Sequence, residues 1–360
     1  MNPRHPNHPA RLLLAGAAGI ALGVMGPSQA QAATRAEPPA RLSQTGLFVA
    51  GQPDHLRAGI AAFSPQYPLW SDGADKRRWL RIPAGKAIDA SKADAWVFPV
   101  GTQLWKEFSH GGRPVETRYI ERRADGRWAF ASYVWRADGR DAELAPARGT
   151  TVDAAAAPGG RYAVPSRGDC VACHGGAAVP VLGVSALQLS PDRDPLAAHG
   201  LPPRAGDVDL RVLVARGWLR GLPPALLAQP PRIAADAPTE RAALGYLHAN
   251  CGHCHNRSGN QVPVRLTLAQ SAIDAQASRN ATLQSAIDAP SRYQAGRSDA
   301  DMKAVVPGNA GASVLTLRMQ SRQLQTQMPP LGTTLTDTEG LALVARWIDS
   351  HLSHPQENTP

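Results

Sequence analysis

All four cysteines of the chain fall in two copies of one pattern, Cys170-Val171-Ala172-Cys173-His174 and Cys251-Gly252-His253-Cys254-His255. Two thiols at this spacing can add to the two vinyl groups of a haem. The histidine that follows then reaches the iron from one face, which is the attachment chemistry of c-type haem. Two complete copies with no cysteine left over imply two covalently bound haem c groups. Cys170, Cys173, Cys251 and Cys254 are the expected thioether anchors, and His174 and His255 the expected iron ligands. Other uses of paired cysteines fit less well. Zinc-binding pairs usually stand about 15–20 residues apart, and a thioredoxin-like centre needs a single pair near a βαβ unit. Disulfides within the pairs would leave both histidines without a role.

Each iron-binding imidazole should donate its other ring N–H to a backbone carbonyl, which fixes the ring. Pro180 and Pro263 stand a few residues downstream and could offer those carbonyls. Met328, in Gln327-Met328-Pro329-Pro330-Leu331-Gly332, is the expected sixth ligand of the second haem, a soft thioether on a stiff proline-rich loop. The bland alternative is a methionine filling a gap in the core. That role is assigned here to Met319, on a helix expected over Ser313 to Met319. The sixth position of the first haem stays open between His199, His110, Met302, Met319 and no protein ligand. His248 is expected to support the second site or lie at the surface, His253 to face outward, and His351 and His354 to be solvated. His110, Arg113 and Glu116 are close in sequence and form the one acid–base candidate, for which a solvated β-turn is the simpler account.

The elements that must hold these residues differ along the chain. Arg4 and Arg11, the apolar run Leu12 to Met25, Pro27 and Ala30-Gln31-Ala32 read as a secretory leader over 1–32, too short to span a membrane comfortably. No second long apolar run follows, so no membrane insertion is expected once the leader is removed. Residues 33–62 read as an N-terminal arm. Residues 63–165 read as an all-β, sandwich-like domain. Its strand-like runs are 79–82, 95–99, 103–108, 117–121 and 128–135, with Asp125-Gly126 as a hairpin turn. Residues 166–235 hold the first haem motif, with no helix ahead of Cys170 and one helix from about Asp207 to Leu219. Residues 236–355 read as a cytochrome c-like helical domain. One helix, capped by Thr239, leads into Cys251, and the capping box Thr336-Asp337-Thr338-Glu339 opens another that carries Trp347 and Ile348. Ala243 and Leu247 should cross against Trp347 and Ile348. The expected class is α+β.

The 360 residues carry a formal charge of +9, and +9 less Arg4 and Arg11 is +7. Four haem propionates would lower it further. A mildly basic surface suits acidic redox partners. Nucleic acid is a poor fit, because no basic cluster is interleaved with aromatics.

Tyr67-Pro68-Leu69-Trp70-Ser71-Asp72-Gly73-Ala74, Phe98-Pro99-Val100-Gly101-Thr102, Val115-Glu116-Thr117-Arg118 and Tyr246-Leu247-His248-Ala249-Asn250-Cys251 resemble a poorly characterised family of secreted bacterial two-haem proteins. The resemblance extends from about Phe63 to Leu352 and implies a periplasmic or secreted c-type haem protein. Met328-Pro329-Pro330 with the helix after it resembles the distal-ligand loop of class I cytochromes c. Phe98 to Lys106 is similar to β-rich monohaem cytochromes that oxidise hydroxylamine. The function expected is electron transfer. The alternative is a two-haem oxidoreductase, a peroxidase or small-molecule oxidase, with an open site at the first haem.

Overall fold

Four of the five strand-like runs assemble into one antiparallel sheet with short ribbons around it, not into two equal layers. The computed structural model describes residues 37–257, 262, 264–293 and 302–352, so the leader, Pro263 and His354 lie outside the described residues, as does the side chain of His351. In chain order come β1 (Phe48–Val49), β2 (Gln52–Leu56), β3 (Ile60–Ala62), β4 (Asp75–Arg81), β5 (Ile88–Asp89), β6 (Gln103–His110), β7 (Arg113–Arg122), β8 (Trp128–Trp135), β9 (Ala142–Leu144), β10 (Thr150–Asp153) and β11 (Arg161–Val164). The main sheet has the order β3-β4-β6-β7-β8-β9, and β10 and β11 pair as a separate ribbon. The turn between β7 and β8 falls at Asp125-Gly126 as expected. Gly126 takes a φ of 78° and donates its N–H to the Arg123 carbonyl at 2.8 Å. The run 95–99 does not become a strand. Val97 makes only an isolated bridge to Asp89, while Trp96 and Phe98 turn into the core and Pro99 has no N–H to give a ladder.

Side chains alternate across a strand, so the register sorts the sheet into two faces. Trp79, Trp105, Tyr119 and Ala131 lie abreast on one face and pack against Leu42, Leu47 and Phe48 of the arm. On the other face Leu80, Leu104 and Ile120 join the main core, and Phe108 packs with Tyr162 and Val164 of β11. Between these two apolar bands Arg78, Lys106, Arg118 and Ser132 form a polar row across four strands.

Beyond the sheet come α1 (Arg167–His174), α2 (Leu210–Ala215), β12 (Leu219–Arg220), α3 (Ala225–Ala228), α4 (Pro238–Asn250), α5 (Ala275–Ala286), α6 (Val314–Gln320) and α7 (Thr338–His351). The expected helix 207–219 shortens to α2. Gly217, at a φ of 65°, ends it, and Leu219-Arg220 pair in parallel with Ile88-Asp89. The cap of α4 is Ala237 with Pro238 at the first position, not Thr239, since proline needs no helical N–H partner there. Asp337, not Thr336, caps α7, its carboxylate accepting the Gly340 N–H at 2.9 Å. Thr336 instead donates its hydroxyl to the Gln320 carbonyl.

Helices α4 and α7 pack as expected. Ala243, Leu247, Val344, Trp347 and Ile348 are fully buried in one cluster. Small residues allow the approach: Tyr246 lies over Gly340, and Tyr67 over Gly245, so neither glycine has room for a Cβ. The cluster that includes Trp347 also includes Leu80 and Leu104 of the sheet and Val184, Leu187 and Leu213 of the middle segment. The boundaries at 165 and 235 are therefore not gaps in the core, and residues from Pro38 onward form one compact unit.

Candidate cofactor cavity

The first motif is itself a helix. Strand β11 ends at Val164, and Ser166 then caps α1 reciprocally with Asp169: the Ser166 hydroxyl accepts the Asp169 N–H at 3.1 Å and the Asp169 carboxylate accepts the Ser166 N–H at 2.9 Å. The sequence shows no helix ahead of Cys170; a strand does lead in as far as Val164, but α1 starts at Arg167, three residues before Cys170. The helix lies over β8, with the His174 ring 5.1 Å from the Phe130 ring. His174 Nδ1 stands 2.6 Å from the Pro180 carbonyl. A carbonyl can only accept, so Nδ1 carries the proton and Nε2 keeps its lone pair. Burial pushes the His174 ring down to about 4, so it is neutral at ordinary pH.

The second motif is a tight turn at the end of α4. The Cys251 N–H bonds the Leu247 carbonyl at 2.9 Å, and the His255 N–H bonds the Cys251 carbonyl at 2.8 Å. His255 is buried, and burial pushes it also down to about 4. Among the described residues its Nδ1 has no hydrogen-bond partner. All four cysteines are free. Burial raises Cys170 to about 11 and Cys251 to about 12, which makes them neutral thiols rather than thiolates. Among the described residues, no three His, Cys, Asp or Glu side chains are grouped to hold a bare metal ion.

Although far apart in sequence, the two motifs open on one cavity of about 620 Å³. Cys173, His174, Cys251, Cys254 and His255 line it, and so do Met319 and Met328. Met328 sits where α6 passes its loop, its N–H bonded to the Arg318 carbonyl at 2.9 Å. Met319, assigned to the core by its helical position, is both buried and part of the cavity wall. The segment Tyr67–Ala74 ties the walls together. The Trp70 N–H bonds Asn250 Oδ1 at 2.7 Å, and the Asp72 carboxylate accepts the N–H groups of Thr334 and Leu335 at 2.8 and 3.0 Å.

The remaining histidines divide. His199 is not among the cavity residues. Its Nε2 stands 2.8 Å from Asp337 and its Nδ1 3.2 Å from Glu339, so both ring nitrogens are engaged elsewhere. His110 packs edge-on against Tyr162, and Glu116 is held by Arg118 and by the Tyr162 hydroxyl at 2.6 Å. The acid–base candidate therefore comes apart: Arg113 is exposed, whereas Glu116 is fully buried rather than solvated. His248 accepts the Gln270 N–H on Nδ1 at 3.0 Å and so braces the loop after the second motif. His253 departs from expectation, lining the cavity instead of facing outward. Met302 is buried but outside the cavity lining.

Sequence reading missed the sheet wall. Arg78, Lys106 and Arg118 all line the cavity, and alternation along β4, β6 and β7 is the signal that places them on one face. Arg118 has a partner in Glu116, at 3.0 Å. Burial, then the neighbouring Arg78, Lys76 and Arg118, push Lys106 well below the usual amine range. Among the described residues no carboxylate forms a close ion pair with Lys106 or Arg78; both side chains are half-buried, and Glu116 acts on Lys106 and Asp207 on Arg78 only at longer range.

The chain matches no family model, and no curated protein or solved structure is significantly similar to it.

Proposed function

We propose that the protein is an exported two-haem c-type protein that transfers electrons to or from partner proteins. One observation carries this reading: both Cys-x-x-Cys-His motifs, distant in sequence, open on the same cavity. The donor set suits haem. Four neutral thiols are available for thioether bonds, two neutral imidazoles for iron, and a thioether from Met328 for a sixth position. In that role Cys170 and Cys173 would hold one haem and Cys251 and Cys254 the other, with His174 and His255 at the irons. Bound haem would supply one-electron chemistry.

The chain's own contribution is positional. The Pro180 carbonyl keeps the proton on His174 Nδ1, so that Nε2 is the nitrogen left to bind. The loop from Tyr67 to Ala74 clamps α4 against the segment after Met328. Met328 offers a soft donor in the cavity lining, which supports a carrier role for the second haem. The oxidoreductase alternative gains no acid–base pair from His110 and Glu116, since neither lines the cavity.

Expression in a host that matures c-type haem, followed by intact mass, tests the reading. The expected mass is that of residues 33–360 plus two haems, retained after acid extraction. A polypeptide without covalent haem would overturn it.

A further inference from the structure

We propose that Arg78, Lys106 and Arg118 form a carboxylate site in the cavity wall and receive a propionate of the bound cofactor. The proposal rests on the two-haem reading and extends it to residues outside both motifs.

The argument begins with the register. Arg78 pairs with Lys106, and Lys106 with Arg118, across adjacent antiparallel strands. Side chains directly opposite one another on one face have Cβ atoms about 5 Å apart. Three cations so placed repel one another, and an anion among them relieves that repulsion. The row is half-buried and flanked by the apolar band of Leu80, Leu104 and Ile120 and by the one around Phe108. Glu116 makes its close ion pair with Arg118, on both oxygens, while Lys106 and Arg78 feel Glu116 and Asp207 only at longer range. The Phe108 ring carries part of the load, lying 4.8 Å from Lys106 Nζ and 4.3 Å from the Arg118 guanidinium.

The row faces the cavity onto which both haem motifs open. A haem that enters the cavity brings two carboxylates. The forked donors of an arginine and the point charge of a lysine suit a carboxylate. A positive row at that place also favours the reduced haem, because the ferrous state carries one charge less.

The test uses Lys106→Met and Arg78→Met, which keep the apolar stems, with Lys106→Arg as the conservative control. Each is purified as the full secreted protein, counted for haem by mass and titrated electrochemically. Haem content should stay at two, spin state should be unchanged, and one midpoint potential should fall in both Met variants and return towards the parent value in Lys106→Arg. The parent spectrum should not respond to added sodium acetate or sodium nitrite, since the site is already filled. Two haems with unmoved potentials would overturn this proposal and leave the two-haem reading intact, whereas a protein without haem would overturn both. A change from low to high spin in Lys106→Met would instead make the amine an iron ligand. Anion binding to the parent that is lost in Lys106→Met would make the row a site for a free anion. Either result would overturn the propionate assignment.

Discussion

Trp70 and Asn250 are joined by a 2.7 Å hydrogen bond from a backbone N–H to a side-chain carbonyl, and Asn250 immediately precedes Cys251. Two residues beyond Trp70, Asp72 accepts three hydrogen bonds from Thr334 and Leu335, in the segment that follows Met328. One loop thus fixes the distance between Cys251 and the Met328 loop. Asp72→Ala should destabilise the protein by about 1–3 kcal/mol. It should also weaken the thioether-to-iron charge-transfer band in the near infrared. Unchanged denaturation and an unchanged band would show that the Met328 loop is held without Asp72.

Met328 and Met319 line the same cavity, so the assignment of the second haem's sixth ligand can be put to a direct comparison. Met328→Ala should abolish the charge-transfer band of the second haem and lower its potential, because a thioether favours ferrous iron. Met319→Ala should cost about 2–5 kcal/mol of stability as a buried methionine lost, with that band retained. The reverse pattern would exchange the two roles.

The parts of this architecture legible in sequence were those set by local pattern. The motifs, the Asp125-Gly126 hairpin, the four long strands and the packing of α4 on α7 follow from turn chemistry and from the two hydrophobic periods. What escaped depends on pairing between distant segments. Nothing local brings Cys173 and Cys254 to one cavity, and Arg78, Lys106 and Arg118 read singly as ordinary surface charges until the strand register aligns them. Trp96 and Phe98 misled for a related reason: they look like a strand because they are buried aromatics, yet they are buried from a loop. The segment of α5, Ala275–Ala286, carries too few large apolar residues to announce a helix.

His199 was a candidate for iron, and the structure gives it a different task. It sits at a φ of 58° beside the start of α7, with Asp337 on one ring nitrogen and Glu339 on the other. His199→Ala should therefore leave the haem spectra unchanged. Loss of a low-spin signal in that variant would return His199 to the iron.

The same contact sets a pH dependence. Burial pushes the Asp337 carboxyl up, but hydrogen bonds from His199, the Gly340 N–H and Tyr246, with the charge of His199, hold the group below the usual carboxylate range. A carboxyl depressed on folding adds stability that is fully present above its unfolded value of about 4 and is lost as pH falls through the folded value. Asp337→Asn keeps a good helix cap yet removes the titration. Denaturation between about pH 5 and pH 2 should lose stability less steeply in this variant than in the parent. Parallel curves would mean that Asp337 takes no part in the acid response.

Tyr67 and Gly245 bear on whether the C-terminal region stands alone. The sequence reads as a cytochrome c-like helical domain over 236–355, and such a domain, cut out as a fragment beginning near Ala235, would fold and hold one haem. In the structure the Tyr67 ring occupies the space over Gly245, and its hydroxyl bonds Asp194 at 3.0 Å, so α4 is covered by residues that such a fragment lacks. Gly245→Ala in the full chain should cost about 1–3 kcal/mol through overpacking against that ring. The fragment should expose the α4 face, bind a hydrophobic dye and unfold without a cooperative urea transition. A sharp transition in the isolated fragment, with one covalent haem in place, would show that α4 and α7 close their own core and that the sheet is only an attachment to it.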